Sequence, residues 1–146
     1  FPYTTLFRSK TQTIIRQSIG KKINGTAKGT VKSQFMIFDM MKVGDAAAYE
    51  AFEAKVLKVH EARIEAGNIS GWSLYKTIYP SSDEVSANYT TIQSLDKLSK
   101  LDQMMDSYAT AIPKALGITP EAFMKQVPSQ RQMTATMITT VAAATK

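Results

Sequence analysis

The chain has 146 residues and a mass of 16.1 kDa, enough to bury one hydrophobic core without disulfide or metal staples. With 44% hydrophobic and 21% charged residues it reads as globular, and no apolar run approaches the roughly 20 residues that a membrane-spanning helix needs. It has no cysteine, which excludes disulfides, thiolate metal sites and a Cys nucleophile but leaves the compartment open, cytoplasmic or exported.

The formal charge of +6 is unevenly placed. Residues 1–32 hold seven basic side chains and no acid, whereas Ser33 onward carries eleven Lys and Arg against twelve Asp and Glu. The part that reads as folded is therefore close to neutral, and a basic leader of this kind reads as a solvated arm rather than a nucleic-acid grip. No nucleic-acid partner is expected.

The opening stretch, FPYTTLFRS, matches the translated end of a widely used short-read sequencing adapter. Residues 1–9 are expected to be an assembly artefact fused to a truncated reading frame whose true start is missing, so Phe1, Tyr3 and Phe7 are assigned no role. Residues 10–32, rich in Gly, Lys and Thr without a sustained period, read as a basic leader or linker of turns or a loose hairpin. The domain is expected over 33–146.

QFMIFDMMKV is a short apolar run and predicts a strand with Phe35, Ile37, Met41 and Val43 on one face and Met36, Phe38 and Met40 on the other. The next segment, through Gly67, predicts a long helix with Asp45 as N-cap and Gly67 as its left-handed stop. Tyr49, Phe52, Val56 and Val59 form its apolar stripe. SGWSLYKTIYP predicts a strand ended by Pro80, SSDE a turn, and VSANYTTIQ an antiparallel strand. Helical spacing resumes at Leu95, Leu98, Leu101, Met105 and Tyr108 with Ser94 as the expected cap, and Pro113 is expected to break or bend that helix. A further helix starts at Thr119 and Pro120, and QMTATMITTVA predicts a last strand.

From Ser33 the order is strand, helix, strand, strand, helix, strand, the ferredoxin-like βαββαβ arrangement of the α+β class, an antiparallel sheet with helices on one face. Large apolar groups on both faces of the first two strands then predict a homodimer packed sheet to sheet; the alternative is that the leader folds across the open face.

Residues 40–80 resemble a group of uncharacterised bacterial proteins, common among Bacteroidetes, of the dimeric α+β barrel superfamily. The matching positions are Lys42 and Val43, then Tyr49, Glu53, His60 and Glu61 along the helix, then Gly67, Gly71, Trp72, Leu74, Tyr75, Tyr79 and Pro80. Val56 departs from the pattern, since relatives tend to carry Trp nearby followed by Lys-Pro, whereas this chain has Lys-Val at 58–59. The superfamily includes quinol- and haem-acting monooxygenases and stress-responsive proteins, and fold analogy alone does not select among them.

His60 is the only histidine, and its place at the edge of the apolar stripe fits either a ligand-contacting base or a half-buried structural residue. A lone histidine does not make a metal site, and neither a metal nor a cofactor is expected. Trp72 shares a face with Leu74 and Ile78, which points it toward the helices, where it could meet His60 or simply anchor the core. Tyr75, Tyr79 and Tyr89 are expected on the opposite face, in a barrel cavity or in dimer packing. Asp39 interrupts an apolar row, which calls for a partner or a solvated rim.

The candidate catalytic residues are therefore His60, Trp72 and Asp39, and the candidate ligand-binding residues His60, Trp72, Tyr75 and Tyr79. The leading expectation is a homodimeric barrel protein that binds a small apolar or aromatic molecule or serves a stress-related role. A cofactor-independent monooxygenase-like enzyme and a structural protein with a sealed core are the alternatives.

Overall fold

A computed structural model describes residues 19–26, 33–79 and 87–141. The chain forms β1 (Ile19–Gly25), β2 (Phe35–Lys42), α1 (Ala46–Glu65), β3 (Gly71–Tyr79), β4 (Tyr89–Leu95), a 3-10 turn (Leu98–Leu101), α2 (Met104–Leu116), α3 (Pro120–Gln130) and β5 (Gln132–Thr140). All strand pairs are antiparallel, in the spatial order β1-β3-β4-β2-β5. The described residues form an α+β architecture with one five-stranded sheet and three helices, consistent with a ferredoxin-like type of fold. No helix among the described residues is long and apolar enough to cross a membrane. The adapter-like residues 1–9 and the SSDE turn lie outside the described residues.

Local chemistry sets the helix ends. The Asp45 carboxylate accepts from the Ala48 amide at 2.9 Å, and the Thr119 hydroxyl accepts from the Ala122 amide at 3.2 Å, so each satisfies a first-turn donor. Gly67 and Gly117 follow the ends of α1 and α2 with φ of 74° and 67°, a conformation a Cβ would strain. Pro113 does not end α2, because it lies in the final turn and its carbonyl accepts the Gly117 amide.

Three expectations change. The presumed linker contains β1, which pairs with β3 from Ile19↔Tyr79 to Gly25↔Ser73. Backbone hydrogen bonds suffice to hold a Gly- and Lys-rich segment at a sheet edge, where side-chain pattern matters least. Ser94 and Leu95 belong to β4 rather than to a helix: their carbonyls accept from Ser70 and Gln34, which commits them to the ladder. α2 therefore starts only at Met104, and Leu98 and Met105 of the supposed helical stripe face water. Helical content between β4 and β5 is divided between α2 and α3, with Gly117 between them.

The register explains what each sheet face carries. Trp72, Gln93, Ile37 and Ile138 form one row across four strands, and Leu74, Thr91, Asp39 and Thr136 form the next. These rows face the helices. Ile37, Met41, Tyr49, Trp72, Leu74 and Tyr89 are the heart of the core between α1 and the sheet, while Val56, Val59, Ile112 and Phe123 join the three helices. Each such fully buried side chain contributes about 1.5–3 kcal/mol, whereas an exposed pair such as Lys114 with Glu65 contributes about 0–1 kcal/mol. Apolar packing, not surface charge, therefore fixes where α1 lies.

Candidate functional site

Between the helices and the helix-facing rows lies a cavity of about 410 Å³, within the usual size of small-molecule pockets. Its walls are mostly apolar: Phe52 and Val56 come from α1, Met104 from α2, Phe123 and Val127 from α3, and Ile37 from β2. A set of polar side chains also reaches it: His60, Glu53, Asp39, Gln93, Tyr108 and Arg131.

His60 is 3% exposed, more deeply buried than its place at the stripe edge suggested. Its ring stacks on the Trp72 indole with centroids 4.5 Å apart and planes 13° from parallel, and Tyr108 meets it edge-on at 5.9 Å. The expected meeting of His60 with Trp72 is thus present. Burial, first, and the neighbouring guanidinium groups of Arg63 and Arg131 hold the imidazole well below its ordinary pKa, so it is neutral at physiological pH.

Arg63 organises the polar side. It is fully buried, donates from Nε to the Ser107 hydroxyl at 2.9 Å and from Nη1 to Gln93 Oε1 at 2.9 Å, and its Nη1 lies 3.2 Å from His60 Nδ1. Its guanidinium carbon sits 3.8 Å from the centre of the Tyr108 ring, a cation–π contact. Burial lowers the Arg63 pKa from its ordinary value and pushes the Tyr108 phenol up. Gln93, oriented by Arg63, turns its amide nitrogen to Asp39 Oδ2 at 3.4 Å, while Thr136 donates to Asp39 Oδ1 at 2.7 Å. Asp39 thus has the partners that its place in an apolar row calls for, an amide and a hydroxyl donor.

A second charged pair closes the α3 end. Arg131, the first residue after α3, donates from Nη1 to Glu53 at 2.8 Å and to the Tyr49 hydroxyl at 3.4 Å. Burial raises the Glu53 carboxyl above its ordinary range, with the Arg131 cation opposing the shift; the same contact raises Arg131, which stays charged. The Arg131 Nε–H is buried and has no partner among the described residues.

Three of the candidate residues, His60, Trp72 and Asp39, therefore line one cavity. Tyr75 and Tyr79 do not. Tyr75 lines a shallow hollow on the opposite face together with Phe38, Met40 and Ile92, and Tyr79 is 61% exposed at the end of β3. Tyr89 was expected on that opposite face as well, but its pairing with Lys76 and Met41 turns it to the helices, where it packs edge-on against Tyr49 at 5.0 Å. Its hydroxyl donates to Glu50.

Sequence reading missed Arg63, Gln93, Arg131 and Tyr108 as site residues, and gave Glu53 no role beyond the resemblance. A signal existed for two of them: Glu53 is one helical turn after Tyr49, and Arg63 continues the stripe from Val56 and Val59, so each is a charge on a buried face. No group of three or more His, Asp or Glu among the described residues could hold a metal ion. No protein-family model matches the chain, and no curated protein or solved structure matches it significantly.

Proposed function

We propose that this chain binds a small, largely apolar or aromatic molecule in the cavity between its helices and its sheet. The observation that carries this reading is the cavity itself: about 410 Å³ of mostly apolar-walled space with polar groups reaching it, in the place where a sealed structural core would be filled with side chains. That makes the cavity a poor fit to a purely structural protein.

Assembly completes the reading as a ferredoxin-like, dimeric α+β barrel. The sheet face away from the helices presents Phe38, Met40, Tyr75, Ile92 and Met137 around a shallow hollow lined by strand residues alone, and a second copy laid across it covers these groups. A cofactor-independent monooxygenase-like activity is the second reading, favoured by the convergence of His60, Trp72 and Asp39 on one cavity.

Trp72 is the only tryptophan and lies at the cavity, so its emission reports occupancy directly. Titration with phenyl and cyclohexyl compounds that do not absorb at the tryptophan red edge is expected to give a saturable change for at least one of them. A flat response across the panel counts against ligand binding. For the enzyme reading, His60→Ala should abolish oxygen consumption with any ligand so found; unchanged consumption removes its best residue.

A further inference from the structure

Two hydrogen-bond donors at the cavity stand without a partner among the described residues. Arginine has five N–H donors and no acceptor, so the 3.2 Å contact between Arg63 Nη1 and His60 Nδ1 requires Nδ1 to accept. A neutral imidazole has one proton, which must then sit on Nε2. Nε2 meets no acceptor among the described residues, although the ring lines the cavity. The Arg131 Nε–H, on another cavity residue, is the second donor left without a partner among those residues.

Three of the cavity's acceptors are engaged. Gln93 Oε1 takes the Arg63 proton, Glu53 Oε1 takes that of Arg131, and Asp39 Oδ1 takes that of Thr136. A ligand with a net charge would be costly to bury against the mostly apolar walls, and a buried donor left unpaired costs about 1–3 kcal/mol.

We infer that the cavity selects a neutral apolar molecule bearing a carbonyl-type oxygen, and that His60 recognises this oxygen by donating from Nε2 rather than acting as a general base. This rests on the proposed ligand-binding reading and sharpens it. The depressed pKa of His60 agrees, because an imidazole that stays neutral keeps both its acceptor contact with Arg63 and its single outward donor.

The test uses tag-free protein, in which His60 is the sole histidine, and two probes of nearly equal shape, 2-acetylnaphthalene and 2-isopropenylnaphthalene. Calorimetry gives the ketone-to-alkene affinity ratio. His60→Asn places a carbonyl near the Nδ1 position for Arg63 and removes the Nε2 donor, whereas His60→Gln keeps an N–H near Nε2. The ratio is expected to fall roughly three- to tenfold in His60→Asn, the worth of one neutral hydrogen bond, and to recover in His60→Gln. An unchanged ratio overturns the donor role while leaving ligand binding in place; failure of wild type to bind either probe removes the underlying reading. Where a variant does not fold, ¹⁵N–¹H correlation of the wild-type imidazole decides. An Nε2–H tautomer whose resonance moves with the ketone but not the alkene supports the inference, and an Nδ1–H tautomer, an imidazolium or no ketone-specific change overturns it.

Discussion

Alternate residues of the same strands build the two faces of this sheet, and the faces invert the usual relation between polarity and cover. The face beneath the helices holds Asp39, Thr91 and Gln93 and meets His60, Arg63 and Glu53 from α1. On the other face, the rows Met40, Thr90, Tyr75, Ala135 and Phe38, Ile92, Ser73, Met137 meet a charge only at the β1 edge, where Lys22 pairs with Tyr75, and no helix among the described residues lies over them. Buried polar groups are held mostly through hydrogen bonds, and a large exposed apolar patch marks an interaction site. Under the proposed function, the covered face would hold the ligand and the open face would meet a second copy.

The largest expected effect breaks the covered face. Arg63→Met removes the donor shared by His60, Gln93 and Ser107 and leaves three buried groups short of a partner, so unfolding in urea should show a loss of about 3–5 kcal/mol. Glu53→Ala should cost less, about 2–3 kcal/mol, because Arg131 is 21% exposed in its side chain and can turn part of its charge to water. An Arg63→Met protein as stable as wild type would mean that the polar network is incidental.

The pH dependence sharpens the same contrast. The folded pKa of His60 is depressed, so below about pH 6.5 the unfolded chain binds a proton that the folded chain refuses. Stability should then fall with pH by up to about 1.4 kcal/mol per unit until the folded pKa is passed. Glu53, whose folded pKa is raised, acts in the opposite sense: its contribution is fully present below its unfolded pKa and is lost as pH rises. Subtracting the His60→Asn profile from that of wild type isolates the histidine, and identical profiles would contradict its burial.

The smallest effect on protomer stability is expected on the open face. Phe38→Asp leaves the helix-side core intact and should change unfolding of the protomer by under about 1 kcal/mol, while light scattering reports monomers in place of dimers. A wild-type monomer, or a dimer indifferent to Asp at this position, would separate the open face from assembly.

Much of the frame was legible in the sequence because its signals are local. Asp45, Gly67, Thr119 and Pro120 act within a turn of themselves, and alternation along β2 and β3 separates their faces without knowledge of partners. Non-local facts were hidden. β1 is held by backbone pairing to β3, about fifty residues away in the chain, so its composition reads as a linker. The side of Tyr89 depends on the register of β4 against two neighbours, and Ser94 and Leu95 could join a helix until that ladder claims them. Arg63 with Ser107 and Glu53 with Arg131 lie 44 and 78 residues apart, and no spacing rule links them. His60 and Trp72 were found together because one helix and the strand that follows it place them there, the shortest of the long-range steps in the fold.

Native mass spectrometry after incubation with 2-acetylnaphthalene tests both faces at once. A dimer carrying one probe molecule per chain is the predicted result, with the covered face occupied and the open face closed by a second copy. A monomer carrying nothing would contradict the account.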